Sequence, residues 1–128
     1  MNMKFLKKLE TWSDIADYPA QTVIFSEGDP AETLYAIISG EVELTLGGDL
    51  LSTETSGGVI GEMTLIGNTK HGATASALTG VRAAKLNREQ LNEFMLESTE
   101  FSLHILNALA SRLRIVDEYI TTDFKQKK

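Results

Sequence analysis

A glycine–glutamate pair and a nearby histidine are the residues of this chain whose types and spacing best fit ligand chemistry. Gly61-Glu62 directly follows the apolar pair Val59-Ile60, and His71 comes shortly afterwards in a polar loop. A sharp turn at a glycine leaves the first amide N–H groups of a following helical turn without partners, and such groups favour an anion. A carboxylate beside an anion is repulsive unless it accepts hydrogen bonds from the ligand, and sugar hydroxyls are suitable donors. The segment therefore predicts a site for a phosphate attached to a sugar.

The whole segment from Val59 to Ala75 has the pattern of a strand end, a glycine turn, one helical turn, a polar loop and a new strand. It resembles the phosphate-binding cassette of cyclic-nucleotide-binding domains, the sensor modules of catabolite-activator-type regulators, protein kinase A regulatory subunits and gated channels. That cassette runs Gly-Glu-apolar-Ala-Leu-apolar and, after a loop, Pro-Arg-Ala/Ser-Ala. The residues that match it are Gly61, Glu62, Met63, Leu65, Ile66 and Ala73.

The resemblance implies that Glu62 holds the ribose 2′-hydroxyl and that backbone N–H groups from about Met63 to Leu65 point at the cyclic phosphate. The chain departs from the family where Lys70-His71 replaces the Pro-Arg pair and where Gly72 replaces a small Ala or Ser. The expected ligand is cAMP or cGMP, with no other cofactor. The predicted ligand-binding residues are Gly61, Glu62, Met63, Thr64, Leu65, Lys70, His71, Gly72 and Ala73.

The histidine in the arginine position leaves two interpretations open. An arginine would hold the phosphate with a planar fork of donors, and a charge-assisted hydrogen bond of this kind contributes roughly 1.5–3 kcal/mol. His71 can donate one bond, but a histidine is mostly neutral above its ordinary pKa of about 6.5. Lys70 could supply the charge, although adjacent strand residues face opposite sides. Either His71 is a working phosphate ligand, or it belongs to a lapsed or altered site.

Composition narrows the classes of protein that the chain can belong to. The 128 residues fit one domain, residues 1–128. The net charge of −6, from 18 acidic and 12 basic residues, is unfavourable for DNA. With no cysteine and two histidines, no metal site or Ser/His/Asp set can be assembled, so we expect no enzyme. No apolar run reaches the ~18 residues that span a bilayer, so we expect a soluble cytoplasmic protein that does not enter a membrane.

The middle of the chain predicts a mainly β fold. Residues 22–86 have strand character with turn residues at regular intervals. Val42, Leu44 and Leu46 alternate with polar residues, and Gly47-Gly48-Asp49 gives a hairpin signal. The segment Gly28–Val42 also resembles the family's first signature. We therefore predict an eight-stranded antiparallel jelly-roll-like β-barrel (double-stranded β-helix) over about residues 20–86, with a short N-terminal helix and two C-terminal helices over about residues 87–122.

The C-terminal helices carry start signals and one unusually wide apolar face. Asn87 with Gln90 forms a capping-box pattern, and Ser98 or Thr99 can cap the second helix. One apolar stripe is expected to cover the barrel; it contains Ile105, Ala108, Ile115 and Tyr119. The other has heptad spacing and predicts a parallel homodimer interface, flanked by Arg112 and Arg114. That interface is predicted to contain Leu106, Leu109, Leu113, Val116 and Ile120.

Two functions follow from this pattern. The first is a stand-alone regulatory sensor module of the cyclic-nucleotide-binding type, with weak or altered ligand binding because His71 occupies the arginine position. The chain ends soon after the long helix and shows no helix-turn-helix, so its output is expected to pass through a dimer change or a separate effector protein. The second is a ligand-free dimeric scaffold that keeps only the fold.

Overall fold

The computed structural model describes residues 4–67 and 69–126, with side chains through residue 115 and at residues 117, 118 and 120. In this part of the chain, eight strands lie between a short N-terminal helix and two C-terminal helices, as the sequence predicts. The elements are α1 Lys4–Glu10, β1 Ile15–Tyr18, β2 Val23–Phe25, β3 Thr33–Ser39, β4 Val42–Leu46, β5 Asp49–Glu54, β6 Val59–Ile60, a 3₁₀ turn Glu62–Leu65, β7 Thr74–Ala77, β8 Val81–Asn87, α2 Arg88–Glu97 and α3 Thr99–Gln126.

The strands form two four-stranded antiparallel sheets that pack as a jelly-roll-like sandwich. One sheet has the order β1-β8-β3-β6 and the other has the order β2-β7-β4-β5. The non-consecutive neighbours show that the chain crosses repeatedly from one sheet to the other, which is the property of a jelly roll. The sheets are not closed into a continuous barrel. The first strand, Ile15–Tyr18, begins before the predicted start near residue 20; it pairs with β8, with Ile15 opposite Ala84.

The core between the sheets comes from the inward-facing side of each strand. In β4 the alternation predicted from the sequence is present, because Val42 and Leu44 are buried. Gly47 and Gly48 connect β4 to β5 with φ values of 58° and 86°, which is the conformation that a tight two-residue hairpin needs. This predicted hairpin is confirmed. The buried core residues are Phe25, Ile37, Val42, Leu44, Ile60, Ala75, Ala77, Val81 and Ala83.

A second core joins the helices to the outer face of the first sheet. Phe94 of α2 lies against Phe101 of α3 with ring centroids 4.4 Å apart, and Phe5 of α1 packs edge-on against Phe101. The buried residues of this helix-side core are Phe5, Leu9, Leu34, Ala36, Val59, Ala84, Leu86, Leu91, Phe94, Phe101 and Ile105. The helices are therefore fixed to the sheet that carries β6, the strand leading into the glycine turn.

Both predicted helix caps are confirmed. The Asn87 side chain accepts a hydrogen bond from the Gln90 backbone N–H at 2.8 Å, and the Gln90 side chain accepts one from the Asn87 backbone at 3.0 Å. Ser98 is the residue that caps α3, since its Oγ accepts from the Phe101 N–H at 3.1 Å. These caps fix where α2 and α3 begin.

The long helix α3 divides its apolar residues between two faces. Phe101 and Ile105 are buried, and Ala108 and Leu109 pack against the helix-side core. Four other apolar side chains on α3 are more than half exposed: Leu103, Leu106, Leu113 and Ile120. No helix in the described residues is both long and apolar enough to cross a membrane.

Candidate ligand-binding site

A cavity of about 410 Å³ lies between the sheet β2-β7-β4-β5, the glycine turn and α3. Leucines from β4, β5 and α3 make most of its wall apolar, and the polar groups gather at the end formed by the turn. It is lined by Phe25, Leu44, Leu46, Leu51, Gly61, Glu62, Met63, His71, Gly72, Ala73, Leu109, Arg112 and Leu113. An apolar chamber with polar groups at one end suits a flat ring carrying a polar substituent.

The glycine turn can be built only with glycine at position 61. Gly61 has φ +81°, and a Cβ placed there would lie 2.6 Å from the Thr33 carbonyl oxygen. The 3₁₀ turn Glu62–Leu65 begins immediately after it, and the Thr64 N–H bonds to the Gly61 carbonyl at 3.1 Å. The amides of Glu62 and Met63 precede any intrahelical acceptor. The turn therefore leaves backbone N–H groups without intrahelical partners at residues that line the cavity.

Six of the nine sequence-predicted ligand residues line this cavity: Gly61, Glu62, Met63, His71, Gly72 and Ala73. Three others lie elsewhere. Thr64 is buried beneath the turn, and its hydroxyl has no partner among the described residues. Leu65 packs against the helix-side core, and Lys70 is exposed. Lys70 and His71 thus face opposite ways, as neighbours in an extended segment do.

The segment that carries His71 is held by the loop between β2 and β3. The His71 N–H donates to the Asp29 carbonyl at 2.8 Å, and the Gly28 N–H donates to the His71 carbonyl at 2.9 Å. Two residues further along, the Ala31 N–H donates to the Thr69 carbonyl at 3.0 Å. The two segments that resemble family signatures therefore form one short antiparallel pair, and this pair fixes the histidine in the cavity wall.

His71 is a buried ring in an apolar setting. Only 5% of the residue is exposed, and its imidazole stacks on Phe25 with centroids 3.8 Å apart and planes 16° apart. Burial lowers the pKa of His71 below its ordinary value, and the nearby charges of Glu62 and Asp29 oppose this shift only in part. The ring is therefore neutral near pH 7 when the cavity holds no anion.

Arg112 reaches across from α3 and closes the polar end of the cavity. Its guanidinium donates to Glu62 Oε2 at 2.6 Å, to Glu54 Oε1 at 2.9 Å and to the Val59 carbonyl at 2.9 Å. Only 7% of Arg112 is exposed. Burial acts to lower the pKa of Arg112, but the charges and hydrogen bonds of Glu62 and Glu54 outweigh it, so the pKa lies above its ordinary value. The helix is thus connected to the glycine turn by a charged group.

The sequence-based placement of Arg112 beside a dimer interface is wrong. Arg112 follows Ile105 by seven residues and Ala108 by four, so it lies on the stripe that meets the barrel. Arginine is rarely fully buried unless it is paired. Two partners are present, Glu62 and Glu54.

The charged cluster around Arg112, at the polar end of the cavity, is net negative before any ligand enters. Two carboxylates, Glu54 and Glu62, share the single guanidinium of Arg112. Their side chains are 26% and 21% exposed, so water screens them only in part. Arg112 already forms ion pairs with these carboxylates, which leaves His71 as the cavity-lining side chain that can add positive charge.

The second histidine has a structural role. His104 Nε2 lies 2.5 Å from the Gly57 carbonyl oxygen, and its ring packs on Phe5 with centroids 5.0 Å apart. His104 is partly buried on α3. No group of three His, Cys, Asp or Glu residues in the described part of the chain is placed to hold a metal ion.

The fold and site together define a jelly-roll ligand-binding module with a C-terminal helix over its cavity. The family model of the cyclic nucleotide-binding domain matches residues 15–98. This chain belongs to that family. The match covers both sheets, the glycine turn and α2.

Full-length regulators are among the relatives. A "CRP-like cAMP-activated global transcriptional regulator" of Mycobacterium tuberculosis is 31% identical over 103 residues, which cover 77% of this chain and 46% of that protein. The chain therefore spans about half the length of this relative. The catabolite activator protein of Thermus thermophilus superposes with a TM-score of 0.74 at 26% identity, covering 95% of this chain and 60% of that one.

The name of a further structural neighbour refers to a different nucleotide. The c-di-GMP-responsive global regulator CLP of Xanthomonas campestris superposes with a TM-score of 0.72 at 27% identity, covering 91% of this chain and 62% of that one. The fold is thus shared by proteins whose names refer to different nucleotides. The ligand of this chain has to be argued from its own cavity.

Proposed function

We propose that this protein is a regulatory sensor module that binds a cyclic purine nucleotide, cAMP or cGMP, in the cavity beneath α3. The observation that carries the proposal is the arrangement of Gly61, Glu62 and Arg112 at the polar end of an otherwise apolar chamber. Such a chamber provides apolar contact for a base and donors and acceptors for a sugar phosphate. Sensing follows because α3 contributes both Arg112 and part of the cavity wall.

Each part of the nucleotide has a matching group in the cavity. Glu62 Oε2 is bonded to Arg112, which leaves the second carboxylate oxygen to accept from the ribose 2′-hydroxyl. The cyclic phosphate is placed between the amides of the glycine turn and the His71 ring. The purine is placed among leucines 44, 46, 51, 109 and 113.

We expect wild-type affinity for cAMP and cGMP to be weak near pH 7.5, with a dissociation constant on the order of 10 μM or above. The phosphate lacks the bidentate charged partner that an arginine would give, and the charged cluster at the polar end of the cavity is net negative. Isothermal titration calorimetry with both nucleotides measures this, and Glu62→Ala is the control that removes the proposed ribose acceptor. Submicromolar binding by wild type at this pH would contradict the assignment of the phosphate to a position beside His71, whose ring is neutral in the free protein.

A dimeric scaffold that does not bind nucleotide is the second candidate function. Two observations favour it: the net negative cavity end, and a His71 that is neutral near pH 7. Wild type and His71→Arg separate the two candidates. If both proteins are folded and neither binds a cyclic nucleotide at any pH from 6.0 to 8.5, the scaffold function stands and the sensor function is rejected.

We also propose that the module forms a parallel homodimer through an exposed leucine stripe on α3, consisting of Leu103, Leu106, Leu113 and Ile120. Their exposed fractions are 58%, 57%, 72% and 58%. The spacing of three and seven residues is that of a coiled-coil contact. Leu109 of the predicted interface packs against the helix-side core instead, and the Val116 side chain lies outside the described residues. Contiguous apolar exposure of this kind indicates a partner surface.

Leu106→Glu and Leu113→Glu should each convert the dimer to a folded monomer. Fully burying a leucine is worth roughly 1.5–3 kcal/mol, and the substitution also opposes two like charges. We expect the dimer dissociation constant to rise by at least about a hundredfold, as measured by sedimentation velocity at tens of micromolar. Leu96→Glu is the matched control, because Leu96 is 88% exposed but lies on α2. A monomeric wild type at that concentration would refute the interface.

The remaining parts of the functional assignment stay predictions. We propose that the output passes through a rearrangement of α3 within the dimer or through docking on a separate effector protein, without direct DNA binding and without membrane insertion. Location in the cytoplasm and a non-enzymatic role are predictions of the same kind. Arg112 supports the proposed output through α3, since this side chain belongs to α3 and bonds to Glu62, the proposed ribose-binding carboxylate.

A further inference from the structure

The His71 ring is positioned to act on a ligand in the cavity. No described residue forms a hydrogen bond with either ring nitrogen. Neither nitrogen belongs to the enclosed, unpartnered side-chain atoms, which are Ser52 Oγ, Thr64 Oγ1 and Arg112 Nε. The ring lines the cavity next to Gly61, whose hypothetical Cβ would lie 3.2 Å from His71 Cε1. The imidazole is therefore open to whatever occupies the polar end.

The charges around this position make a bound anion unfavourable without a further cation. Glu62 on the glycine turn and Asp29 on the β2–β3 loop are the acidic groups whose charges act on the pKa of His71. From α3, Arg112 faces the same space but is paired with Glu62 and with Glu54 of β5. Phe25 of β2 contributes an apolar face. A cyclic phosphate monoanion would add a further negative charge to a partly desolvated site.

We propose that the site binds the cyclic phosphate together with one proton, which His71 takes up, so that nucleotide affinity falls as pH rises. This inference rests on the proposed cyclic-nucleotide binding and adds its regulation. The proton comes from solvent and converts the neutral imidazole to an imidazolium with a donor for the phosphate. His71 is then the ligand-binding residue through which the module responds to pH as well as to nucleotide.

The direction of the pH dependence follows from the two states of the ring. In the free protein, burial lowers the pKa of His71, so the protonated form is the minor one near pH 7. The bound phosphate raises that pKa, because an opposite charge favours the imidazolium. Between the free and bound pKa values the binding-competent fraction falls about tenfold per pH unit, and the apparent dissociation constant rises by the same factor. Below the free pKa the dependence levels off.

The test is the dissociation constant of cAMP measured by calorimetry between pH 6.0 and 8.5, with proton uptake obtained from buffers of different ionisation enthalpy. This range lies above the ordinary titration of carboxylates, and the cyclic phosphodiester stays a monoanion throughout. Four proteins are compared: wild type, His71→Arg, His71→Gln and the control His104→Gln, with folding checked by circular dichroism at each pH. NMR titration of the His71 Cε1 proton, with and without saturating cAMP, gives the free and bound pKa directly.

For wild type and His104→Gln, the dissociation constant of cAMP should rise by about tenfold per pH unit over part of the range. Proton uptake should approach one proton per bound nucleotide. His71→Arg should bind tightly and His71→Gln weakly, both without pH dependence. Measurable wild-type binding without pH dependence, or a slope that persists in His71→Gln, would overturn the proton coupling and leave the proposed function intact. If His71→Arg binds cAMP and wild type does not bind it even at pH 6.0, the proton coupling is also overturned and the proposed function is kept. No binding by either protein would overturn both proposals.

Discussion

His71→Arg is expected to tighten cAMP and cGMP binding at pH 7.5 by about tenfold to a hundredfold, since a charge-assisted hydrogen bond contributes roughly 1.5–3 kcal/mol. The guanidinium is charged at every accessible pH and offers two parallel donors to the phosphate oxygens. The cavity of about 410 Å³ beside His71 leaves room for the longer side chain. Calorimetric titration of both proteins under identical conditions measures the gain.

Two control variants distinguish phosphate recognition from a general gain of positive charge. Lys70→Gln removes a neighbouring charge that is exposed and lies outside the cavity lining, so it should change affinity by less than about threefold, within the range of a screened surface charge. His71→Gln keeps a neutral donor and should not tighten binding. An unchanged affinity in a folded His71→Arg protein would mean that the phosphate does not lie beside position 71.

The sequence predicted the strands and helix starts well because their signals are local. Three examples each depend on residues only a few positions apart: the alternation of Val42 and Leu44, the paired glycines after Leu46, and the Asn87–Gln90 capping box. Such signals can be recognised in the sequence without knowledge of any distant contact. The strand Ile15–Tyr18 was missed because it has weak alternation and depends on pairing with β8, far away in the sequence.

Only the part of the candidate site that comes from the cassette, residues 59–75, could be predicted from the sequence. Gly61, Glu62 and His71 lie close together in sequence, so their grouping was visible. Arg112 enters the same site from a helix fifty positions further along, as its hydrogen bond to Glu62 shows. Its role depends on the rotation of α3 about its axis, which the packing of Phe101 sets. Spacing along the chain does not encode that contact.

The sequence predicted the two faces of α3 only in part, because the rotation of the helix depends on contacts with distant parts of the chain. Both candidate stripes have helical spacing, and periodicity alone does not say which stripe meets the barrel. Leu109 was assigned to the partner face and packs toward the helix-side core, whereas Leu103 was omitted and is exposed. Among the described side chains, the predicted and the exposed stripes share Leu106, Leu113 and Ile120 and differ at Leu103 and Leu109. The packing of Phe101 and Ile105 against the sheet decides between them.

Arg112→Met is expected to lower the free energy of unfolding by about 2–4 kcal/mol. Removing one partner of a buried ion pair typically costs about 3–5 kcal/mol, because the other charge is left without compensation. Here two carboxylates, Glu54 and Glu62, would face each other, but their side chains are 26% and 21% exposed, and water reduces the penalty. Methionine keeps the apolar contacts of the arginine stem, so the loss reports the guanidinium. Urea denaturation at pH 7.5 measures it.

The triple variant Arg112→Met with Glu54→Gln and Glu62→Gln identifies the origin of that loss. With both carboxylates neutralised, the uncompensated charge is gone, and we expect more than half of the lost stability to return. Arg114→Met is the matched control, because Arg114 is an exposed arginine on the same helix, and its loss should change stability by less than about 0.5 kcal/mol. If the triple variant is no more stable than Arg112→Met, the guanidinium acts through its bond to the Val59 carbonyl. The ionic link between the glycine turn and α3 would then be of minor energetic importance.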